Sequence, residues 1–118
     1  MIKVLLTGAR GQLGFSIERL NPKGIILSGG PNSCYDPGAP RLDKDIWTLG
    51  VPVLGVCYGM QLMALDLDGE VTPAKESEYG RALLTVVEHD QLFENVEPAI
   101  SSWMSHGDSV SKLPPGFV

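Results

Sequence analysis

The stretch Val51-Pro-Val-Leu-Gly-Val-Cys57-Tyr-Gly-Met-Gln61 decides how this chain is read. An apolar run of strand length ends in Gly-x-Cys-x-Gly and passes directly into a helical pattern, the arrangement of a nucleophile elbow. A nucleophile on such a turn projects from the end of a sheet. Gly55 and Gly59 leave room for a backbone path that a β-carbon would obstruct. The helix that follows aims its first N–H groups at the turn, and a helix N-terminus favours thiolate over thiol. A lone cysteine is more often a buried structural residue, but the elbow spacing favours the nucleophile.

Working outward, the pattern on both sides is strand, helix, strand, helix, strand, helix and then a less regular tail. Residues 2–6 and 24–28 read as strands, residues 12–20 carry apolar positions at helical intervals, and residues 41–49 read as a helix stopped by Gly50. Residues 51–56 form the third strand and residues 59–68 the elbow helix. Residues 82–88 and 100–104 are further strands, separated by loops rich in Glu, Pro and Gly. The inner strands are nearly continuous apolar runs, as expected where helices cover both faces of a parallel sheet. The fold class is therefore α/β: a three-layer, open, mostly parallel sheet with helices on both faces, of flavodoxin-like type and incomplete. In such sheets ligands bind at the carboxyl ends of the strands, which gathers the loops after Leu6, Ser28 and Val56 at one edge.

Bulk properties narrow the function. A length of 118 residues suits one domain with one core, and 43% hydrophobic with 19% charged residues describes a globular chain. The net charge of −5 and the lack of a basic cluster argue against nucleic acid as a partner. Apolar runs of strand length argue against a membrane. The opening Met1-Ile-Lys-Val-Leu-Leu-Thr-Gly8 reaches glycine too early for a signal peptide, so a reducing, cytoplasmic setting with Cys34 and Cys57 as free thiols is expected. Asp66-Leu-Asp-Gly69 has part of a calcium-loop pattern but lacks the remaining ligands, and reads as a helix terminus. No metal site is expected.

From Pro22 onward the chain resembles the class I glutamine amidotransferases, in the glutaminase-domain form found in GMP synthetases. The resemblance rests on Lys23-Gly-Ile-Ile-Leu-Ser-Gly-Gly-Pro-Asn-Ser33, on Tyr35-Asp36 with Gly38-Ala-Pro-Arg41, and on Gly50 through Met63. It extends to Glu78-Tyr-Gly-Arg-Ala82, Trp103-Met-Ser-His-Gly-Asp108 and Leu113-Pro-Pro-Gly-Phe117. It implies hydrolysis of the glutamine side-chain amide through a thioester on Cys57, with ammonia passed to an ATP-using synthetase domain or subunit and no cofactor. By the same resemblance, backbone N–H groups of Gly30 and Tyr58 serve the oxyanion, and Gln61, Ser105, His106 and Gly107 hold the glutamine. Without that context Gly30 is an ordinary turn glycine, Gln61 an exposed helix residue and Ser105 a plain loop hydroxyl.

The family takes its general base from a His-x-Glu element, and these 118 residues contain none. By themselves they are expected to be inactive for that reason. His89 reads as a solvated loop residue and His106 as a substrate-orienting one.

Residues 1–21 resemble a different family, the extended short-chain reductases of the dTDP-dehydrorhamnose reductase type, through Thr7-Gly-Ala-Arg-Gly-Gln-Leu-Gly14. Gly8, Gly11 and Gly14 would admit a dinucleotide pyrophosphate to a helix N-terminus. The second strand, however, ends in Ser28-Gly29-Gly30 where a ribose-binding acid belongs, and no Tyr-x-x-x-Lys pair follows. The expectation is a single α/β domain over residues 1–118, a hybrid of a reductase-like βα unit (1–21) and an amidotransferase-like part (22–118). The alternatives are an NADP-type reductase fragment and a non-catalytic chimera.

Overall fold

The computed structural model describes residues 4–7 and 21–118, without the side chains of residues 4–7 and 75–78. Gly8, Gly11, Gly14 and the helix expected over residues 12–20 lie outside the described residues.

Three parallel strands form the first sheet: β1 (Val4–Thr7), β2 (Gly24–Leu27) and β3 (Val53–Gly55), in the order β1-β2-β3. Their register runs Leu5↔Ile25↔Val53 and Thr7↔Leu27↔Gly55. The strand from the reductase-like stretch thus belongs to the same sheet as the rest. The strands are short because glycine and proline bound them: β2 ends at Ser28-Gly29-Gly30, and Pro52 precedes β3 while lending its carbonyl to Ile25 N (2.9 Å).

Alternation puts Ile25 and Leu27 on one face of β2, where both are buried. The segment expected as a helix over residues 41–49 covers that face, but it is a single 3-10 turn, Lys44–Thr48. The reason lies in its polar residues. The Asp43 carboxylate accepts from Asp45 N (3.1 Å) and the Thr48 hydroxyl donates to the Asp45 carbonyl (2.9 Å), local bonds that compete with the α ladder. Ile46 from this turn completes a core cluster with Ile25 and Leu27, flanked by Leu42, Trp47, Leu49, Val51 and Val53.

Helix α1 (Tyr58–Asp66) follows the elbow. It closes with Asp68 in the left-handed region (φ 70°), while Gly69 N donates back to Ala64 O (2.7 Å). This is a Schellman end, so Asp66 to Gly69 is a helix terminus, in keeping with the sequence. Leu62 and Ala64 of α1 pack with Cys34, Tyr58 and Val71 in a second core cluster.

The tail is more regular than its composition suggests. It forms a long antiparallel pair, β4 (Glu70–Thr85) and β5 (Ala99–Lys112), as a separate two-stranded sheet. The pairing shifts register between Glu70 and Val71 and again between Pro73 and Glu78. β4 starts well before residue 82 but stops at Thr85, short of the expected end at 88, and β5 extends beyond residues 100–104 at both ends. Val71 and Val110 at the foot of the ribbon lean on α1, and this contact fixes the ribbon beside the elbow.

Candidate active site

The elbow is tight at each glycine flanking the cysteine. A β-carbon on Gly55 would come within 2.8 Å of Met60 Cα, and one on Gly59 would land on the carbonyl oxygen and Cβ of Leu27. Neither position accepts a side chain without the helix leaving the sheet. Cys57 itself, the residue before the helix, has φ 55° and ψ −118°, a conformation that L-residues rarely adopt. Such strain costs on the order of 1–3 kcal/mol and concentrates at functional turns. Backbone bonds hold it in place: Val56 N donates to Leu27 O (2.8 Å), Gly59 N to Ser28 O (3.2 Å) and Gln61 N to Cys57 O (3.1 Å).

Cys57 sits half-buried at one wall of a cleft of about 390 Å³. The loop after β2 supplies Gly30, Pro31, Asn32 and Ser33, helix α1 supplies Gln61, and the ribbon supplies Tyr79 and residues 105–108. Cys57 Sγ lies 4.0 Å from the Ser105 carbonyl oxygen. The elbow and the ribbon thus meet at the sulfur, although 48 residues separate these two positions.

Of the residues singled out in the sequence, Cys57, Gly30, Gln61, Ser105, His106 and Gly107 line one cleft, whereas the Tyr58 side chain is buried in the core cluster beside it. Gly30 stands against Tyr58, with a β-carbon there only 3.4 Å from Tyr58 Cγ. The Gly59 N–H is taken by the Ser28 and Val56 carbonyls. Gln61 is 4% exposed rather than on an open helix face, and its Nε2 donates to the Asp108 carbonyl (3.3 Å). Ser105, His106 and Gly107 all line the cleft, and His106 Nδ1 is shut off from solvent. His89 lies elsewhere, exposed, with its Nδ1–H donating to the Phe93 carbonyl (3.2 Å).

Sequence reasoning misses Gly29 beside Cys57, Asp108 on the cleft wall, and Tyr35, which is bonded to Asp108 without lining the cleft. A β-carbon on Gly29 would stand 3.4 Å from Cys57 Cβ and 3.5 Å from Sγ, so this glycine leaves the sulfur an open side. Asp108 shares the inward face of β5 with His106, a relation that two-residue alternation could have revealed. Its carboxylate accepts from the Tyr35 hydroxyl at 2.6 Å, a contact between positions 73 residues apart that no local pattern announces.

Cys34 is fully buried, and burial, then the nearby Asp108 charge, raise its thiol above the ordinary range. Burial likewise raises the Tyr58 phenol, whose hydroxyl donates to the Pro40 carbonyl (2.6 Å). The Tyr35 phenol is raised first by its bond to Asp108, because losing the shared proton would set two negative charges side by side.

A parallel sheet, a cysteine on a strained strand-to-helix elbow and a cleft gathered at the strand ends define an α/β fold with an elbow cysteine. The class-I glutamine amidotransferase family model matches residues 9–118, and the chain belongs to that family. The match reaches into the stretch that resembles a reductase. Among individual relatives, the glutamine-hydrolysing GMP synthase of Trichormus variabilis is 59% identical over 101 residues, covering 86% of this chain and 19% of that protein. The corresponding enzyme of Synechococcus sp. has the same identity and coverage. The chain spans about a fifth of the length of the curated relatives it matches. In structure it is similar to a Thermoplasma acidophilum protein assigned as a GMP synthase subunit, with TM-score 0.69, 26% identity, and coverage of 100% of this chain and 71% of that one. A glutamine amidotransferase from Thermotoga maritima shares the fold at TM-score 0.68 and 21% identity, over 88% of this chain and 47% of its own. Among the described residues no helix is long and apolar enough to cross a membrane.

Proposed function

We propose that the chain is the glutaminase part of a GMP synthase, one α/β unit that frees ammonia from glutamine for a synthetase domain or subunit. The observation that carries this reading is the convergence on Cys57. A strained elbow cysteine, with Gln61 on the helix that follows it, faces a cleft whose other wall carries the Ser105-His106-Gly107 segment.

In the reaction, Cys57 Sγ attacks the carbon of the side-chain amide. A sulfur–carbon bond forms while the carbon–nitrogen bond breaks, and the thiol proton leaves with the nitrogen as ammonia. Water then adds to the thioester carbon, a carbon–oxygen bond forms as the carbon–sulfur bond breaks, and glutamate leaves while a proton returns to sulfur. The tetrahedral oxyanion of each step would be held by the N–H groups of Gly30 and Tyr58, the first on the loop after β2 and the second at the head of α1. Backbone donors suit this role because the sheet and helix already fix them.

Proton transfer needs a base at the sulfur. The family's His-x-Glu element is absent from these 118 residues, and His106 is assigned to substrate orientation. Labelling with a glutamine-mimicking diazoketone tests the reading. The 118-residue chain should be modified at Cys57 slowly or not at all. The same chain extended by a relative's His-x-Glu segment should be modified promptly and should release ammonia from glutamine. An extended, folded chain that does neither would sink the proposal.

A further inference from the structure

The cleft has one wall with an unusual construction. Residues 28–40 cross from the end of β2 to the 3-10 turn without regular structure, yet side chains pin them at three places. The Cys34 side chain is fully buried against α1, and the Tyr58 hydroxyl holds the Pro40 carbonyl. The third pin reaches the opposite wall. The Tyr35 hydroxyl donates to Asp108 Oδ1 at 2.6 Å, a short bond to a charged acceptor. Asp108 is itself tied to the elbow helix through its carbonyl, which accepts from Gln61 Nε2. One residue of β5 thus receives donors from both the loop and the helix. Tyr35 does not line the cleft and is 39% exposed, so packing alone does not account for its position.

We propose that Tyr35 is a positioning residue for glutamine: through Asp108 it straps residues 31–36 to β5 and so sets how well the cleft holds its substrate. The proposal rests on the glutaminase reading above. Without the strap, residues 31–36 keep the packing of Cys34 against α1 and Val71 but lose their side-chain bond to the stretch of β5 that lines the cleft. The loop would then be ordered at the moment of binding, weakening affinity without altering the sulfur itself.

Protection of Cys57 separates these effects and needs no turnover. Iodoacetamide alkylation of Cys57, followed by mass spectrometry at increasing L-glutamine, gives a half-protecting concentration and a rate in the absence of glutamine. Tyr35→Phe keeps the ring and removes the hydroxyl. It should raise the half-protecting concentration about tenfold, the scale of one lost bond to a charged group, and leave the glutamine-free rate within about twofold. Tyr35→His, whose ring N–H can face the same carboxylate, should recover part of the loss. A purely structural role for Tyr35 would instead change both readings or neither. If glutamine protects the parent chain and Tyr35→Phe shifts half-protection by less than about twofold, the strap is overturned and the glutaminase reading stands. If glutamine fails to protect the parent, the glutaminase reading falls and this inference falls with it.

Discussion

The elbow half of the molecule and the antiparallel ribbon form opposite walls of the same cleft under different physical regimes. Around the elbow, Ile25 and Leu27 are almost fully buried, and glycines stand wherever a side chain would strike backbone. Along the ribbon, Tyr79, Leu83 and Trp103 are 73%, 73% and 71% exposed on one face. At the foot of the ribbon Val71 and Val110 pack against α1. The ion pair between Lys112 and Glu70 (3.3 Å) is exposed on both sides and contributes little. Cys57 is held by close packing, whereas the ribbon wall is held by its ladder and by a few bridging hydrogen bonds. Changes near the elbow should therefore act on stability, and changes on the ribbon or its bridges should act on binding.

Leu27→Ala tests the first half most severely. It empties a site in the smaller core and should cost about 2–5 kcal/mol in denaturant unfolding. Gly59→Ala follows, at about 1–3 kcal/mol, because its methyl group would overlap Leu27 backbone and the helix must shift. Cys57→Gly runs the other way. By relieving the positive φ it should raise stability by about 1 kcal/mol while abolishing alkylation at this position, so stability and reactivity oppose each other at the elbow.

A smaller effect comes from pH. The folded chain raises the Cys34 thiol, so folded molecules hold that proton where unfolded ones release it. Cys34's contribution is complete below the ordinary thiol range, near about 8.5, and is lost as pH climbs from there through the folded value. The melting temperature should fall over this window, and Cys34→Ala should flatten the fall. The smallest change is expected from Leu83→Ser on the open ribbon face, within about 0.5 kcal/mol of the parent. A loss there as large as that of Leu27→Ala would break the contrast between the two halves.

How much is legible depends on the range of the interaction. The three parallel strands and the elbow can be read because apolar runs, glycine punctuation and the turn into α1 are all local. The 3-10 turn reads as a longer helix because its apolar spacing is helical, while Asp43, Asp45 and Thr48 satisfy one another over two or three residues. The ribbon is longer than its pattern implies because exposed apolar residues on one face and polar serines and glycine along β5 blur the alternation. Cys57, Gly30, Gln61 and residues 105–107 emerge from motif resemblance, and the fold brings them to a single cleft. Tyr35 with Asp108 does not, because a hydrogen bond spanning 73 positions leaves no local periodicity.

The sequence by itself determined the elbow: Gly55 and Gly59 bracket Cys57, and a sharp strand-to-helix turn there follows from the sterics of a few adjacent residues. It also determined the family, since the motifs extend over most of the chain. Tertiary structure alone decided what faces the sulfur. The Ser105 carbonyl stands near Cys57, Gln61 is drawn inward to Asp108, and Tyr35 closes the loop across the cleft. Those contacts depend on how the ribbon leans against α1 through Val71 and Val110, a packing choice made between distant segments.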